Sequence, residues 1–373
     1  MRINLKNTPE QVELIKAMGS HDVSVAREAN EAFAAFLGPV IRRVLHQAST
    51  AGAIFVDAPY DEDDSPSYPL DLYYNDGDNV VTTFMQSIAG GLPSSHVEGM
   101  SELKIATYRL DSAVSLLKRY ARRGRLDIVS KAVERMAQEI LVKQERNAWA
   151  VILKALGEGS TNSNTHAIAS TTADVFQLDD MNRLMTRIRR INESFANGTP
   201  DTAYSNGLTD LYMSPEMVEQ VRGFAYQPMN TRAAMGQAAA AENSNGIALP
   251  DSVREGVFRA AGMQELYGVS IHEMNELGVS KKYNTLFDTF AGSATIAHGS
   301  TTFTGSDDEV IVGIDNSKGA FIRPVAQQHE SGGQFVTLPD DQFSARSEKL
   351  GFYGYLEEGR VCIDARAVVG LVV

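Results

Sequence analysis

The sequence is poor in the residues that disulfide, redox and multi-thiolate metal chemistry need. Its 373 residues hold one cysteine, Cys362. No internal disulfide and no multi-cysteine zinc site can form, which excludes a secreted disulfide scaffold. Long hydrophobic runs are also missing. The best, from Ala32 to Ile41, contains Pro39 and stops at Arg42-Arg43, well short of the ~18–20 residues of a membrane-spanning helix. The segment Met1-Arg2-Ile3-Asn4-Leu5-Lys6 has no apolar stretch of signal-peptide length, so a soluble, intracellular chain is expected. Positive charge is in deficit: 34 basic residues against 47 acidic give −13. That balance favours solubility and argues against a general nucleic-acid coat.

The usual signatures of catalysis are absent too. No G-x-x-x-x-G-K-[ST] loop occurs, and Gly157-Glu158-Gly159 follows a helical pattern rather than a strand, so it is no dinucleotide fingerprint. There is no G-x-S-x-G elbow. The histidines, His21, His46, His96, His166, His272, His298 and His329, include no helical H-x-x-x-H pair for a metal. The acidic run Asp57–Asp64 lacks the spacing and closing glutamate of a calcium-binding EF-hand. Cys362 lies in a predicted strand, away from any helix start that would activate a thiol. Catalytic, cofactor and metal sites are therefore expected to be none.

What remains is an ordinary globular composition, 43% hydrophobic and 22% charged, long enough for two or three domains at ~100–200 residues each. Thr8-Pro9-Glu10-Gln11 opens a first helix. A second runs from Ser24 to Leu37, is interrupted at Gly38-Pro39, and resumes from Val40 to Ala48. Residues 53–107 carry Pro59, Pro66, Pro69 and Pro93 among short β-type runs, and they are acidic. Too few apolar positions recur there to build a core, so this excursion needs a partner surface. The strongest helix spans Asp127 to about Leu156, with Val129, Val133, Met136, Ala137 and Ile140 at helical spacing and no Pro or Gly before Gly157. Further on, a helix capped by Asp179 or Asp180 runs to Ile191. Leu211-Tyr212-Met213 and Gly268–Ile271 read as strands, and Ser214-Pro215-Glu216 opens a helix. Val310–Ile314 and Ala320–Ile322 read as a hairpin. So do Leu350–Leu356 and Arg360–Val373 around Glu357-Glu358-Gly359, and the wholly apolar end Ala367–Val373 should be docked.

One dense basic cluster, Lys118, Arg119, Arg122, Arg123 and Arg125, precedes the long helix. Three readings fit it: a solvated helix end, an ion-pairing surface for another subunit's acidic excursion, or a phosphate contact. The excursion offers Asp61, Glu62, Asp63 and Asp64, with Tyr68, Tyr73 and Tyr74, which suit either an ordinary sheet or an interface.

The order of parts resembles the Hong Kong 97-type major capsid proteins of tailed phages. Three stretches carry the likeness: Tyr120-Ala121-Arg122-Arg123-Gly124-Arg125-Leu126-Asp127 leading to Ala148-Trp149, Tyr267-Gly268-Val269-Ser270-Ile271, and Phe352–Val373 with Arg360. The resemblance implies an α+β fold with an N-terminal arm (1–52) and an extended loop (53–107). It implies a peripheral domain with a spine helix (108–160 and 335–373) and an axial domain (161–334). The implied function is non-enzymatic: self-assembly of hexamers and pentamers into an icosahedral shell enclosing DNA without sequence-specific binding. No membrane is involved; scaffold, portal and decoration proteins are the implied accessory partners. The implied location is the virion capsid, assembled in the host cytoplasm. Some members crosslink a loop lysine to an asparagine, but residues 53–103 contain no lysine, so that crosslink is not expected here. The alternatives are an encapsulin-like nanocompartment shell and a cytosolic two-domain α+β enzyme.

Overall fold

The computed structural model describes residues 8–61, 64–69, 102–161, 166–191, 207–226, 265–327, 335–340 and 348–373. In chain order the elements begin with helices α1 (Pro9–Met18) and α2 (Val23–Ala48) and strands β1 (Val56–Asp61), β2 (Ser67–Pro69), β3 (Glu102–Lys104) and β4 (Tyr108–Leu117). Helices α3 (Lys118–Arg122) and α4 (Leu126–Thr161), strand β5 (Ala167–Ala169), helix α5 (Leu178–Ile191), strand β6 (Asp210–Met213) and helix α6 (Pro215–Tyr226) follow. Then come strands β7 (Glu265–Leu266) and β8 (Val269–Glu273), a helix at Lys282–Ala291, and β9 (Val310–Ile314) and β10 (Phe321–Gln327). Strands β11 (Val336–Asp340), β12 (Lys349–Glu358), β13 (Val361–Cys362) and β14 (Val368–Val372) close the chain. Two compact units result: 1–68 with 103–148 and 321–361, and 69–102 with 149–320 and 362–373.

In the first unit, β12 lies between β4 and β11, antiparallel to both, while β10 pairs parallel with β1 and meets β12 at Val325↔Glu358. The alternation of β4 and β12 turns Val114, Phe352 and Leu356 inward. Onto them pack Val129, Val133, Met136, Ala137 and Ile140 of α4, the residues of its predicted apolar stripe. The two N-terminal helices complete this core with Ile15, Met18, Phe33, Leu37 and Ile41, and the Phe33 and Phe352 rings lie 5.3 Å apart. The N-terminal helices thus find their packing partner within their own chain. Helix α2 also runs unbroken through Gly38-Pro39. A proline there forfeits one backbone bond and crowds the preceding turn. Leu37 and Ile41, on either side, are wholly buried, and their burial outweighs that cost. Asp22 caps the helix, its Oδ1 accepting from the Ser24 amide at 3.1 Å; Thr8 provides no such side-chain cap to α1.

The second unit is built on a six-stranded sheet in the order β5-β14-β9-β6-β8-β7. Its central strands β9 and β14 are buried at every position, as expected of strands covered on both faces. Helix α5 contributes Met181, Leu184 and Ile188 to this core, and α6 contributes Met217, Val218 and Val221. A Cβ on Gly370 would stand 2.8 Å from Leu156, so glycine allows β14 to approach the last turns of α4. Trp149 is fully buried between Tyr212 and Tyr283, with ring centroids at 5.0 and 5.7 Å.

Two expected hairpins do not form. Strand β9 pairs with β14 and β6, whereas β10 joins the other sheet beside β1. Likewise β12 belongs to the first sheet and β14 to the second. Glu357 and Glu358, expected in a turn, are instead the last two residues of β12, and a local turn signal does not fix which strands pair. Between Cys362 and β14, the Asp364 carboxylate accepts from the Arg366 amide at 2.9 Å and redirects the chain.

Candidate functional site

The single thiol is half-buried. Cys362 is pushed up to about 12 by burial, with the Asp364 charge adding to the effect, so it carries no thiolate at neutral pH. His166 is buried with Nδ1 2.9 Å from the Val368 carbonyl. His298 Nδ1 lies 3.1 Å from the Ser170 carbonyl, and His272 Nε2 lies 3.0 Å from Asp210 Oδ1. Among the described residues, no group of three His, Cys, Asp or Glu is placed to hold a metal, and no helix is long and apolar enough to cross a membrane.

The densest polar chemistry is a buried lock in the first unit. Glu358 is wholly buried. Its Oε1 accepts from Tyr108 at 2.8 Å and from Arg360 Nε at 3.3 Å, and its Oε2 accepts from Gln144 at 3.0 Å. Arg323 lies 3.9 Å from Oε2 and holds Asp57 across the β1–β10 pair, Nε at 2.7 Å and Nη2 at 2.8 Å. The Arg360 guanidinium also stacks 4.8 Å from the Phe55 ring centre. Burial, followed by the Glu358 charge, pushes the Tyr108 hydroxyl up to about 12. Two carboxylates and two guanidiniums balance one another, so the lock fastens β1, β10, β12 and α4 and offers no reactive group.

The predicted contact residues are placed as follows. Asp61 ends β1 and is exposed; its carbonyl accepts from the Asp64 amide at 2.9 Å. Asp64 is exposed and Tyr68 half-buried in β2. Glu62, Asp63, Tyr73 and Tyr74 lie outside the described residues. Among the basic residues, Lys118 is half-buried, and its amide donates to the Glu348 carbonyl at 2.8 Å. Arg119 is exposed and lies over Tyr120, 5.1 Å from the ring centre. Arg123 and Arg125 are exposed. Arg122 differs: its Nε donates to the Gly19 carbonyl at 2.8 Å and ties α3 to the end of α1. The fold thus uses Arg122 and leaves Arg119, Arg123 and Arg125 on the surface.

Three surface features escaped the sequence reading. The outward residues of β4 and β12 form a patch in which Arg109 lies 3.9 Å from the Tyr355 ring centre and donates to Tyr353 and Asp111, each at 2.8 Å; Tyr353 also donates to Asp111. The tyrosines stand two residues apart on a strand, a period-2 signal present in the sequence. In the second unit, a cleft of about 580 Å³ runs along β5, walled by Ala167, Ile168, Ala169, Ile296, Arg183, Asp179 and His298. At the other end of that sheet, Tyr267 and Gly268 form a two-residue turn between β7 and β8, with Tyr267 48% exposed.

No family model matches the sequence, and no curated protein matches it. Solved structures do. The capsid structure of the cyanophage P-SCSP1u superposes with a TM-score of 0.53 and 14% identity, over 87% of this chain and 88% of that one. The capsid of an empty GTA particle gives a TM-score of 0.46 at 12% identity, over 85% and 87% of the two chains. The holo-SrpI encapsulin complex of Synechococcus elongatus gives 0.37 at 11% identity, over 73% and 75%. The chain has an α+β, Hong Kong 97-like capsid fold.

Proposed function

We propose that this chain is the major structural subunit of a tailed-phage head. It assembles in many copies, as hexamers and pentamers, into an icosahedral shell that encloses DNA without reading its sequence. The observation that carries this is the fold-wide likeness to the cyanophage capsid chain, which spans 87% of one chain and 88% of the other. Fold likeness argues function only by analogy, and three features of this chain support the same reading. Its polar clusters are spent on holding strands together, as in the Glu358 lock. Asp61 and Asp64 on one segment, and Arg119, Arg123 and Arg125 on another, stand exposed and of opposite sign. The acidic total of −13 suits a wall that must not clamp a packaged polyanion.

In this reading residues 1–52 serve as the arm, 53–107 as the loop laid on a neighbour, 108–160 with 335–373 as the peripheral domain and 161–334 as the axial domain, a division that departs from the two compact units at 321–334, which belong with the first unit, and at 362–373, which belong with the second. Assembly takes place in the host cytoplasm with scaffold and portal partners, and the role is structural rather than catalytic. Negative-stain microscopy of the purified protein, alone and co-expressed with proteins encoded beside it, tests this. Shells, rings or curved sheets are expected. A monodisperse monomer under all those conditions overturns the proposal.

A further inference from the structure

The two ends of the second unit's sheet carry an exposed aromatic tip and a cleft, which stand too far apart to meet within one chain. At one end is the β7–β8 turn. Tyr267 has φ 54° and Gly268 φ 79°. Both central positions of such a turn require positive φ, so Asn-Gly is the favoured pair. A bulky tyrosine there is strained, and the turn gives it little in return, since half of its surface stays exposed. Among the described residues a Cβ at Gly268 would meet no atom within 4 Å, so this side of the tip is open. Glu265, two residues before Tyr267, is also exposed.

At the other end is the cleft along the outer side of β5. Its floor is Ala167, Ile168 and Ala169; its far wall, 295–300, is bent through positive φ at Gly299 (74°) and Ser300 (61°). Small apolar side chains, the basic Arg183 and His298, the carboxylate of Asp179 and a volume of about 580 Å³ suit an aromatic ring with a polar tip. Both basic side chains of the cleft are already engaged within the chain. Arg183 already donates to the Ala169 carbonyl, Thr171 Oγ1 and Asp180, all within 3.2 Å, and His298 is bonded to Ser170. Arg183 stays 43% exposed, which leaves its face open to stacking.

Strands β5 and β7 are the two outermost of six. Five steps of ~4.8 Å put the tip and the cleft roughly 24 Å apart in one molecule. A knob and a socket at opposite ends of a sheet make a head-to-tail contact, which closes into a ring where the rotation between copies closes and otherwise gives an open filament. We propose that the Tyr267 tip of one copy seats in the β5 cleft of the next and joins second units into a ring. This rests on the shell-subunit reading and names the contact that would build its capsomers.

A cysteine pair in the full chain tests it: Tyr267→Cys with Thr295→Cys, the latter an exposed residue of the cleft wall. Disulfide geometry needs Cα atoms within ~7 Å, so the pair cannot close within one copy. Mild oxidation should give a ladder of linked chains ending at one ring size, with at least tenfold less product from either single variant. A second variant, Tyr267→Asn, places a favoured residue in the turn. Its melting temperature should be unchanged or higher, with ring or shell yield reduced at least tenfold. Normal particles without a ladder, or normal assembly by Tyr267→Asn, overturn the contact and leave the shell reading standing. Failure of the unmodified chain to assemble overturns both.

Discussion

The two units solve the same problem, holding distant strands together, with opposite chemistry. In the second unit β9 and β14 carry aliphatic residues buried on both faces, and α5 and α6 close over them. In the first, β1, β10 and β12 converge on a buried carboxylate held by a tyrosine, an amide and two guanidiniums. Dispersion and burial are graded: each lost methylene costs its share. A buried charge network is closer to all-or-none, since removing one partner leaves another charge desolvated and unpaired. The first unit should therefore fail abruptly under small chemical changes that the second tolerates.

The largest expected effect is Glu358→Gln. The side chain keeps its size and loses its charge, leaving Arg360, whose side chain is 2% exposed, without its counter-ion. A loss of about 3–5 kcal/mol follows from breaking a buried pair, read as a lower denaturant midpoint. The same lock predicts an alkaline limit. The Tyr108 pKa is raised to about 12, so between the unfolded value near ~10 and 12 the unfolded chain has lost a proton that the folded chain keeps. Stability is complete below ~10 and falls as pH rises through that window. Tyr108→Phe should remove that part of the slope when urea midpoints are measured from pH 8 to 12.

The matching change in the second unit is smaller. Ile311→Val removes one methylene from a fully buried position in β9 and should cost about 0.5–1.5 kcal/mol without altering the shape of the transition. Smaller still is Asp210. Burial pushes its carboxyl up, but hydrogen bonds from His272 and Thr209 and the His272 charge outweigh burial and hold it below the usual range. A depressed carboxyl contributes stability above its unfolded pKa and loses it as pH falls through its folded one. The pair is partly exposed, so Asp210→Asn should cost about 0.2–1 kcal/mol near pH 6 and flatten the acid limb below ~4.

The difference between the units also explains what could be read from the sequence. Local signals revealed α4 by the spacing of its buried face, α5 by its acidic start, and β6 and β8 as short apolar runs. Strand β4 carries an alternating signal of its own, Leu110, Val114 and Leu116 against Arg109, Asp111 and Ser115, set beside the stronger helical pattern that follows. Pairing was not local. Glu358 meets Tyr108 and Gln144 across 250 and 214 residues, and no spacing rule reaches that far. The exposed basic residues were visible as a cluster, but only packing separates Arg122, bonded to Gly19, from its neighbours.

That separation sets the last and smallest stability effect. Reversing Arg119 and Arg123 to Glu changes two exposed side chains and should move the folded-state midpoint by no more than about 0.5 kcal/mol. Including Arg122 would add the loss of the α1–α3 tie and confuse folding with assembly. If Arg119 and Arg123 pair with the acidic segment of a neighbour, the double reversal should abolish shells while circular dichroism and the melting curve stay those of the parent. Raising salt should weaken parental assembly in the same direction, since exposed pairs are screened. Normal shells from the reversed protein would assign these arginines to solvent and leave the contacts between copies to uncharged surfaces such as the Tyr267 tip.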